Sequence, residues 1–131
     1  GWMDGKRMPG NKLVMVVDDE PDIRTMAKQI LGLFGYPCVL VQEASLVVDT
    51  ARKTKPMVIL QDVIMPGPRV EKLVRQLRKD PDTKGIPILL FSASASVKET
   101  SKHAGADGYV RKPFDLKELR ELLDRYAAQQ S

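Results

Sequence analysis

Five short apolar runs, separated by five stretches of helical period, constrain this chain more than any other feature. Leu13–Val17, Cys38–Val41, Met57–Leu60, Ile88–Phe91 and Gly108–Val110 read as strands. The first, third and fourth are apolar at every position, without the alternation of a half-solvated strand. Strands of that kind are covered on both sides, so the expected sheet is parallel with helices on each face. Between the runs, Ile23, Met26, Ala27, Ile30, Leu31 and Phe34 recur at i, i+3, i+4 and i+7, as do Ala44, Val47, Val48 and Ala51, and then Val70, Leu73, Val74 and Leu77. Each set predicts a helix with one buried stripe. A brief fourth helix is expected from Ser94 to His103, with Val97 and Ala104 as its apolar anchors. The fifth carries Leu116, Leu119, Leu122, Leu123 and Tyr126, with Asp115 as its N-cap. Gly35, Pro37, Pro56, Gly85, Pro87 and Gly105 punctuate the chain where these elements must stop. Such regular alternation implies a doubly wound α/β fold, a five-stranded parallel sheet with right-handed crossovers and strand order 2-1-3-4-5.

Composition narrows the function classes. A chain of 131 residues, 43% hydrophobic and 29% charged, suits one globular domain rather than two. A single cysteine, Cys38, closes no internal disulfide, which fits a reducing, cytoplasmic location. The apolar runs fall far short of the ~20 residues a membrane helix needs, so no membrane partner is expected. The formal charge of +4 comes from 21 basic and 17 acidic residues spread along the chain. No basic cluster interleaved with aromatics accompanies it, and nucleic acid is not an expected partner of this domain. Lys72, Arg75 and Lys79 read as a solvated helix face, and His103 as a surface residue near the end of the fourth helix. Residues 1–12 read as a leader or tag remnant, 13–126 as the folded domain, and 127–131 as a tail or the start of a linker.

The chemistry collects at strand ends, where polar residues interrupt runs that would otherwise continue. Asp18, Asp19 and Glu20 follow the first run, Asp62 the third, Ser92 the fourth and Lys112 the fifth. In a doubly wound sheet these positions share the carboxyl edge, and strands one and three are neighbours at the topological switch point where ligands bind. Carboxylates far apart in sequence then meet in one pocket, where they repel unless a cation neutralises them. Mg²⁺ suits such a pocket, because it takes one or two carboxylates together with carbonyls, waters and phosphate oxygens. Lys112 adds a positive charge and Ser92 a hydroxyl, both aimed at a group attached to Asp62. Positioning and charge neutralisation are what phosphoryl transfer asks of a protein.

Four segments carry a family resemblance: Val-Val-Asp-Asp-Glu-Pro (Val16–Pro21), Val-Ile-Leu-Gln-Asp-Val-Ile-Met-Pro-Gly (Val58–Gly67), Ile-Leu-Leu-Phe-Ser-Ala (Ile88–Ala93) and Ala-Gly-Ala-Asp-Gly-Tyr-Val-Arg-Lys-Pro-Phe (Ala104–Phe114). Together they resemble a response-regulator receiver domain, the phosphoacceptor module of two-component signalling, with a chemotaxis-regulator-like, flavodoxin-like (βα)5 fold. The resemblance implies that Asp62 accepts a phosphoryl group from a sensor histidine kinase or phosphotransfer protein. It implies that Asp18, Asp19, Asp62 and the backbone carbonyl of Ile64 hold Mg²⁺, Asp18 through water. Lys112 would pair with the phosphoryl group and precede a cis bond to Pro113, while Ser92 and Tyr109 form the switch pair. An output domain or partner protein is implied, as is a dimer that forms on phosphorylation. Such a module catalyses only its own phosphorylation and dephosphorylation.

Other readings stand beside these. Asp18 and Asp19 fit as caps for the helix near Pro21, Ser92 as a loop hydroxyl, and Tyr109 as a core aromatic with a wet tip. A receiver that is never phosphorylated would lack a pocket residue, and none is missing. A haloacid-dehalogenase-type phosphatase also uses an aspartyl phosphate, but its nucleophile follows strand one in an Asp-x-Asp arrangement, and a cap domain does not fit in this length. A flavodoxin needs a hydroxyl-rich loop where this chain has acids. Val70, Pro68 and Arg69 depart from the family pattern, so the loop into the third helix is expected to take its own path. Ile64 places an apolar side chain where a polar one could hold an attacking water, which predicts slow self-dephosphorylation.

Overall fold

A computed structural model of the chain describes residues 2–3, 6–7 and 11–130. The central sheet comprises β1 (Val14–Val17), β2 (Cys38–Val41), β3 (Val58–Asp62), β4 (Ile88–Ser92) and β5 (Gly108–Arg111), all parallel in the order β2-β1-β3-β4-β5. This is the expected 2-1-3-4-5 sheet. The helices are α1 (Pro21–Phe34), α2 (Val47–Thr54), α3 (Val70–Lys79), α4 (Val97–Ala104) and α5 (Leu116–Gln129). Ala44 lies in a 3₁₀ turn, Ala44–Leu46, ahead of α2 rather than in the helix itself.

Strand alternation divides the core into two layers. Met15, Val17, Ile59, Ile88 and Leu90 face α2, α3 and α4, where Val47, Leu73, Val74, Leu77 and Val97 cover them. Val14, Val16, Val58, Leu60, Leu89 and Phe91 face α1 and α5, covered by Ala27, Leu31, Leu119 and Leu123. β1, β3 and β4 are buried along their whole length, as their unbroken apolar runs require. β5 is an edge strand whose burial alternates, so Tyr109 and Arg111 stand on its open side.

The helix ends follow local chemistry. Asp115 caps α5, its carboxylate accepting the Glu118 N–H at 3.0 Å. Gly35, left-handed at φ 84°, closes α1 and returns its N–H to the Gly32 carbonyl. Leu116, expected in the buried stripe of α5, is half exposed because it sits in the first turn, before the helix reaches the sheet.

Described structure is found on both sides of residues 13–126. Asn11 donates from its side-chain amide to the Thr54 and Lys55 carbonyls, at 3.1 and 3.0 Å, and so ties the chain ahead of β1 to the end of α2. α5 runs to Gln129 with Ala127 buried, beyond the expected stop at Tyr126. Trp2–Met3 pairs antiparallel with Lys6–Arg7 inside the expected leader. The leader's residues 1, 4–5 and 8–10, and residue 131 of the expected tail, lie outside the described set.

Candidate phosphoacceptor pocket

β1 and β3 lie side by side with Val17 opposite Gln61, so the residues that leave the two strands emerge together at the carboxyl edge. The carboxylates of Asp18, Asp19 and Asp62 each place an oxygen within 4.8 Å of the others. Asp18 is fully buried and Asp62 is 5% exposed, whereas Asp19 is open to solvent. Lys112, delivered by the end of β5, bridges the two buried acids: its Nζ donates to Asp18 Oδ2 at 3.1 Å and to Asp62 Oδ1 at 3.4 Å. The same ammonium lies 4.8 Å from the centre of the Phe91 ring, which tilts against Phe114. The Lys112–Pro113 bond is cis.

Burial, and then the neighbouring charge of Asp18, push the Asp62 carboxyl up to about 6, against the opposing pull of Lys112. Burial also works against the Lys112 ammonium. Its hydrogen bond to Asp18 and the charges of Asp62 and Asp18 outweigh that and hold its pKa above the ordinary range. One lysine against three carboxylates leaves the pocket net negative. The donor set is entirely hard oxygen, and it fits a divalent cation such as Mg²⁺.

The capping role for the acid pair is not what the structure holds. Asp18 Oδ1 accepts the Glu20 N–H at 2.9 Å in a tight turn, and the N-cap of α1, Glu20, makes no side-chain cap bond. Ser92 is buried at the end of β4, one residue beyond the register partner of Asp62, and its Oγ accepts the Ser94 N–H at 3.1 Å. Tyr109 stands apart from Ser92. It is 36% exposed, stacks under the Arg111 guanidinium, and lines a groove of about 450 Å³ between β5 and α5. Ile64 projects its side chain into solvent, 73% exposed, while its N–H donates to Asp62 Oδ1 at 3.4 Å. His103, Lys72, Arg75 and Lys79 are exposed, and none of the four is in an ion pair among the described residues.

Two further residues shape the pocket. Arg24, one turn into α1, reaches back toward the helix start and donates to the Asp18 carbonyl at 2.9 Å and to Gln42 Oε1 at 3.5 Å. Gln61 is the one polar residue in β3 ahead of Asp62, and it is 2% exposed. Its Nε2 donates to the Asp62 carbonyl at 3.1 Å and lies 3.4 Å from Met65 Sδ, while its Oε1 is buried without a partner. An acceptor left in that state costs about 1–3 kcal/mol. The sequence signal was present for both: an arginine among the polar positions of α1, and an amide closing an otherwise apolar run.

The family model described as the response regulator receiver domain matches residues 14–124. Among similar proteins, the phosphate regulon transcriptional regulatory protein PhoB of Pseudomonas aeruginosa is 34% identical over 110 residues, covering 82% of this chain and 48% of that protein. The DNA-binding response regulator MtrA of Mycolicibacterium smegmatis is 32% identical over 108 residues, covering 81% of this chain and 46% of that protein. The chain thus spans about half the length of the curated relatives it matches. Among solved structures, the receiver domain of a Pseudomonas aeruginosa sensor histidine kinase, with a magnesium ion coordinated in its active-site cleft, aligns with a TM-score of 0.80 at 26% identity. That alignment covers 88% of this chain and 97% of that one. The Vibrio cholerae chemotaxis protein CheY4 aligns with a TM-score of 0.75 at 31% identity, covering 87% of this chain and 97% of that one.

Proposed function

The chain belongs to the response regulator receiver family, and from that premise we propose that Asp62 is its phosphoacceptor, serving a two-component pathway through a Mg²⁺-dependent transfer. The observation that carries the reading is the buried pair Asp18 and Asp62 bridged by Lys112. A carboxylate oxygen of Asp62 attacks the phosphorus of a phosphohistidine on a kinase or phosphotransfer protein. The phosphorus–nitrogen bond breaks, the electron pair leaves with the imidazole, and an aspartyl phosphate forms. Asp18, Asp19, Asp62 and the Ile64 carbonyl would hold the cation, which supplies charge neutralisation for the phosphoryl oxygens. Lys112, already beside Asp62, needs little movement to pair with the new phosphoryl group. Arg24 keeps the Asp18 main chain in place.

Output is proposed to pass through Ser92, which exchanges the Ser94 N–H for the phosphoryl group, and through Tyr109, whose ring is exposed and would turn inward in response. α4, β5 and α5 then carry the change to an output domain or partner protein, or to a second copy of the chain. Among the described residues no helix is long and apolar enough to cross a membrane.

The test is phosphorylation by acetyl phosphate with Mg²⁺, followed by mass and by loss of label in base or hydroxylamine, as an acyl phosphate requires. One phosphoryl group per chain is expected, none without Mg²⁺, and none in Asp62→Asn. An Asp62→Asn variant that takes up label at the native rate overturns the assignment. Amide spectra with beryllofluoride and Mg²⁺ are expected to shift at Tyr109, α4 and α5; shifts confined to the pocket refute the output route.

A further inference from the structure

Gln61 lies on the face of β3 that packs under α2 and α3, between Val17 and Leu90 of the flanking strands. Its neighbours on the two flanking strands are apolar, so a hydrocarbon side chain would serve packing better than an amide. The amide is half satisfied. Its nitrogen side holds the Asp62 carbonyl and touches Met65, and its oxygen is buried with no donor. Buried acceptors without partners are few in native proteins, and each calls for a physical reason.

The segment from 63 to 69, which links β3 to α3, supplies the candidate donors. Val63 N–H is used by the Phe91 carbonyl, Ile64 N–H is directed at Asp62 Oδ1, and Pro66 and Pro68 have no N–H. Met65, Gly67 and Arg69 N–H have no hydrogen-bond partner among the described residues, and Arg69 stands furthest along, as the N-cap of α3. Gly67 holds φ at +105°, a backbone state that other residues rarely adopt, so this part of the loop owes its path to glycine. Gln61 therefore has one spare acceptor beneath a loop with three spare donors, of which Met65, already in contact with the amide, and Gly67 precede the helix cap, and that loop carries Ile64.

We infer that Gln61 is a positioning residue for the cation site: when a divalent cation enters the acid pocket, the spare Gln61 Oε1 receives the N–H of Met65 or Gly67, and this bond latches the β3–α3 loop with the Ile64 carbonyl on the cation. The inference rests on the phosphoacceptor reading above. It also accounts for the amide's survival in an apolar layer, because the acceptor that is idle without the cation is engaged with it. Outer partners of this kind fix the orientation of metal ligands without touching the metal.

The experiment is amide hydrogen exchange and Mg²⁺ titration on the native chain, on Gln61→Leu and on Gln61→Met, the second variant guarding against loss of fold from a branched side chain. In the native chain, saturating Mg²⁺ is expected to slow exchange at Met65 or Gly67 by about tenfold or more. In both variants that protection is expected to be absent and the Mg²⁺ dissociation constant to rise by an order of magnitude, roughly, while the unfolding midpoint without Mg²⁺ holds or rises. A packing role alone would lower the midpoint and leave Mg²⁺ affinity and loop protection unchanged, and that result overturns the inference. Equal protection in native and variant chains overturns it too. If the native chain neither binds Mg²⁺ nor accepts a phosphoryl group, the phosphoacceptor reading fails and the latch with it. Native binding with an unaffected variant sinks the latch alone.

Discussion

Lys112 offsets part of the negative charge at the pocket, because among the described residues it is the one cation hydrogen-bonded to both buried acids. Removing it leaves Asp18 and Asp62 facing each other without compensation, and breaking a buried pair by deleting one partner costs about 3 kcal/mol. Lys112→Met is expected to lose about that much in urea unfolding without Mg²⁺, and to regain more on adding Mg²⁺ than the native chain does. Asp62→Asn is expected to act in the opposite sense. Asp62 is held up at about 6 by burial and by Asp18, so replacing it with a neutral isostere relieves repulsion and stabilises the metal-free fold by about 1 kcal/mol at neutral pH. Unfolding shifts of the same sign in the two variants would refute this charge balance. Ile64 belongs to the same neighbourhood but to kinetics rather than stability. Its exposed apolar side chain stands two residues beyond Asp62 and offers no hydrogen bond to an in-line water. Ile64→Asn is expected to shorten the life of the phosphorylated protein after donor removal, and equal decay in the two chains would count against it.

Among the elements, the seam between α1 and α5 shows what sequence patterning reveals and what it hides. The apolar stripes that pack these helices on the sheet, Ala27 and Leu31 on one and Leu119 and Leu123 on the other, were legible because burial imposes a period. The polar contact that joins them was not: the Tyr36 hydroxyl donates to Asp124, far along the chain, and no local pattern announces a long-range pair. Asn11 at the end of α2 was hidden for the same reason. Asp18, Asp19, Asp62 and Lys112 were legible because each follows an apolar run where a strand ends. Gln61 also breaks one, but a single amide inside an apolar segment reads as packing until its partnerless oxygen is seen. Tyr109 is on an alternating edge strand, and alternation specifies its face while leaving its proposed pairing with Ser92 open. Tyr36 gives the seam a pH signature. Burial first, and then the bond to Asp124, raise its pKa from 10.0 to about 12. The neutral phenol is the form the fold favours, so this contribution is complete below pH about 10 and disappears as pH rises through about 12. Tyr36→Phe is expected to cost about 1 kcal/mol at pH 7 and to abolish the extra loss of stability between those two values. A variant whose stability falls as steeply as the native chain's in that window would overturn the assignment.

At the scale of the whole molecule, the two edges of the sheet carry separate work. The carboxyl edge gathers like charge, which suits the proposed cation site and opposes folding. The amino edge holds a compact polar knot: Arg78 donates to the Ile86 carbonyl at 2.9 Å and to Asp107 at 2.6 Å, while Asp107 accepts the Ile88 N–H at 2.7 Å. That knot fastens the end of α3, the start of β4 and the approach to β5, and every partner in it is satisfied. Arg78→Met removes the donor to the Ile86 carbonyl and to the part-exposed Asp107 carboxylate and is expected to cost about 1 kcal/mol. It leaves Mg²⁺ affinity and phosphoryl uptake at native values, since β4, five residues long, spans roughly 16 Å between the knot and the pocket. Lys112→Met changes both stability and Mg²⁺ response. At that separation, with no shared partner, the two stability losses are expected to add within about 0.5 kcal/mol in the double variant. Urea unfolding of the native chain, the two single variants and the double variant, each with and without Mg²⁺, measures this directly. A coupling well above that margin, or an altered Mg²⁺ affinity in Arg78→Met, would show that the sheet transmits strain from one edge to the other and that the amino edge takes part in the switch.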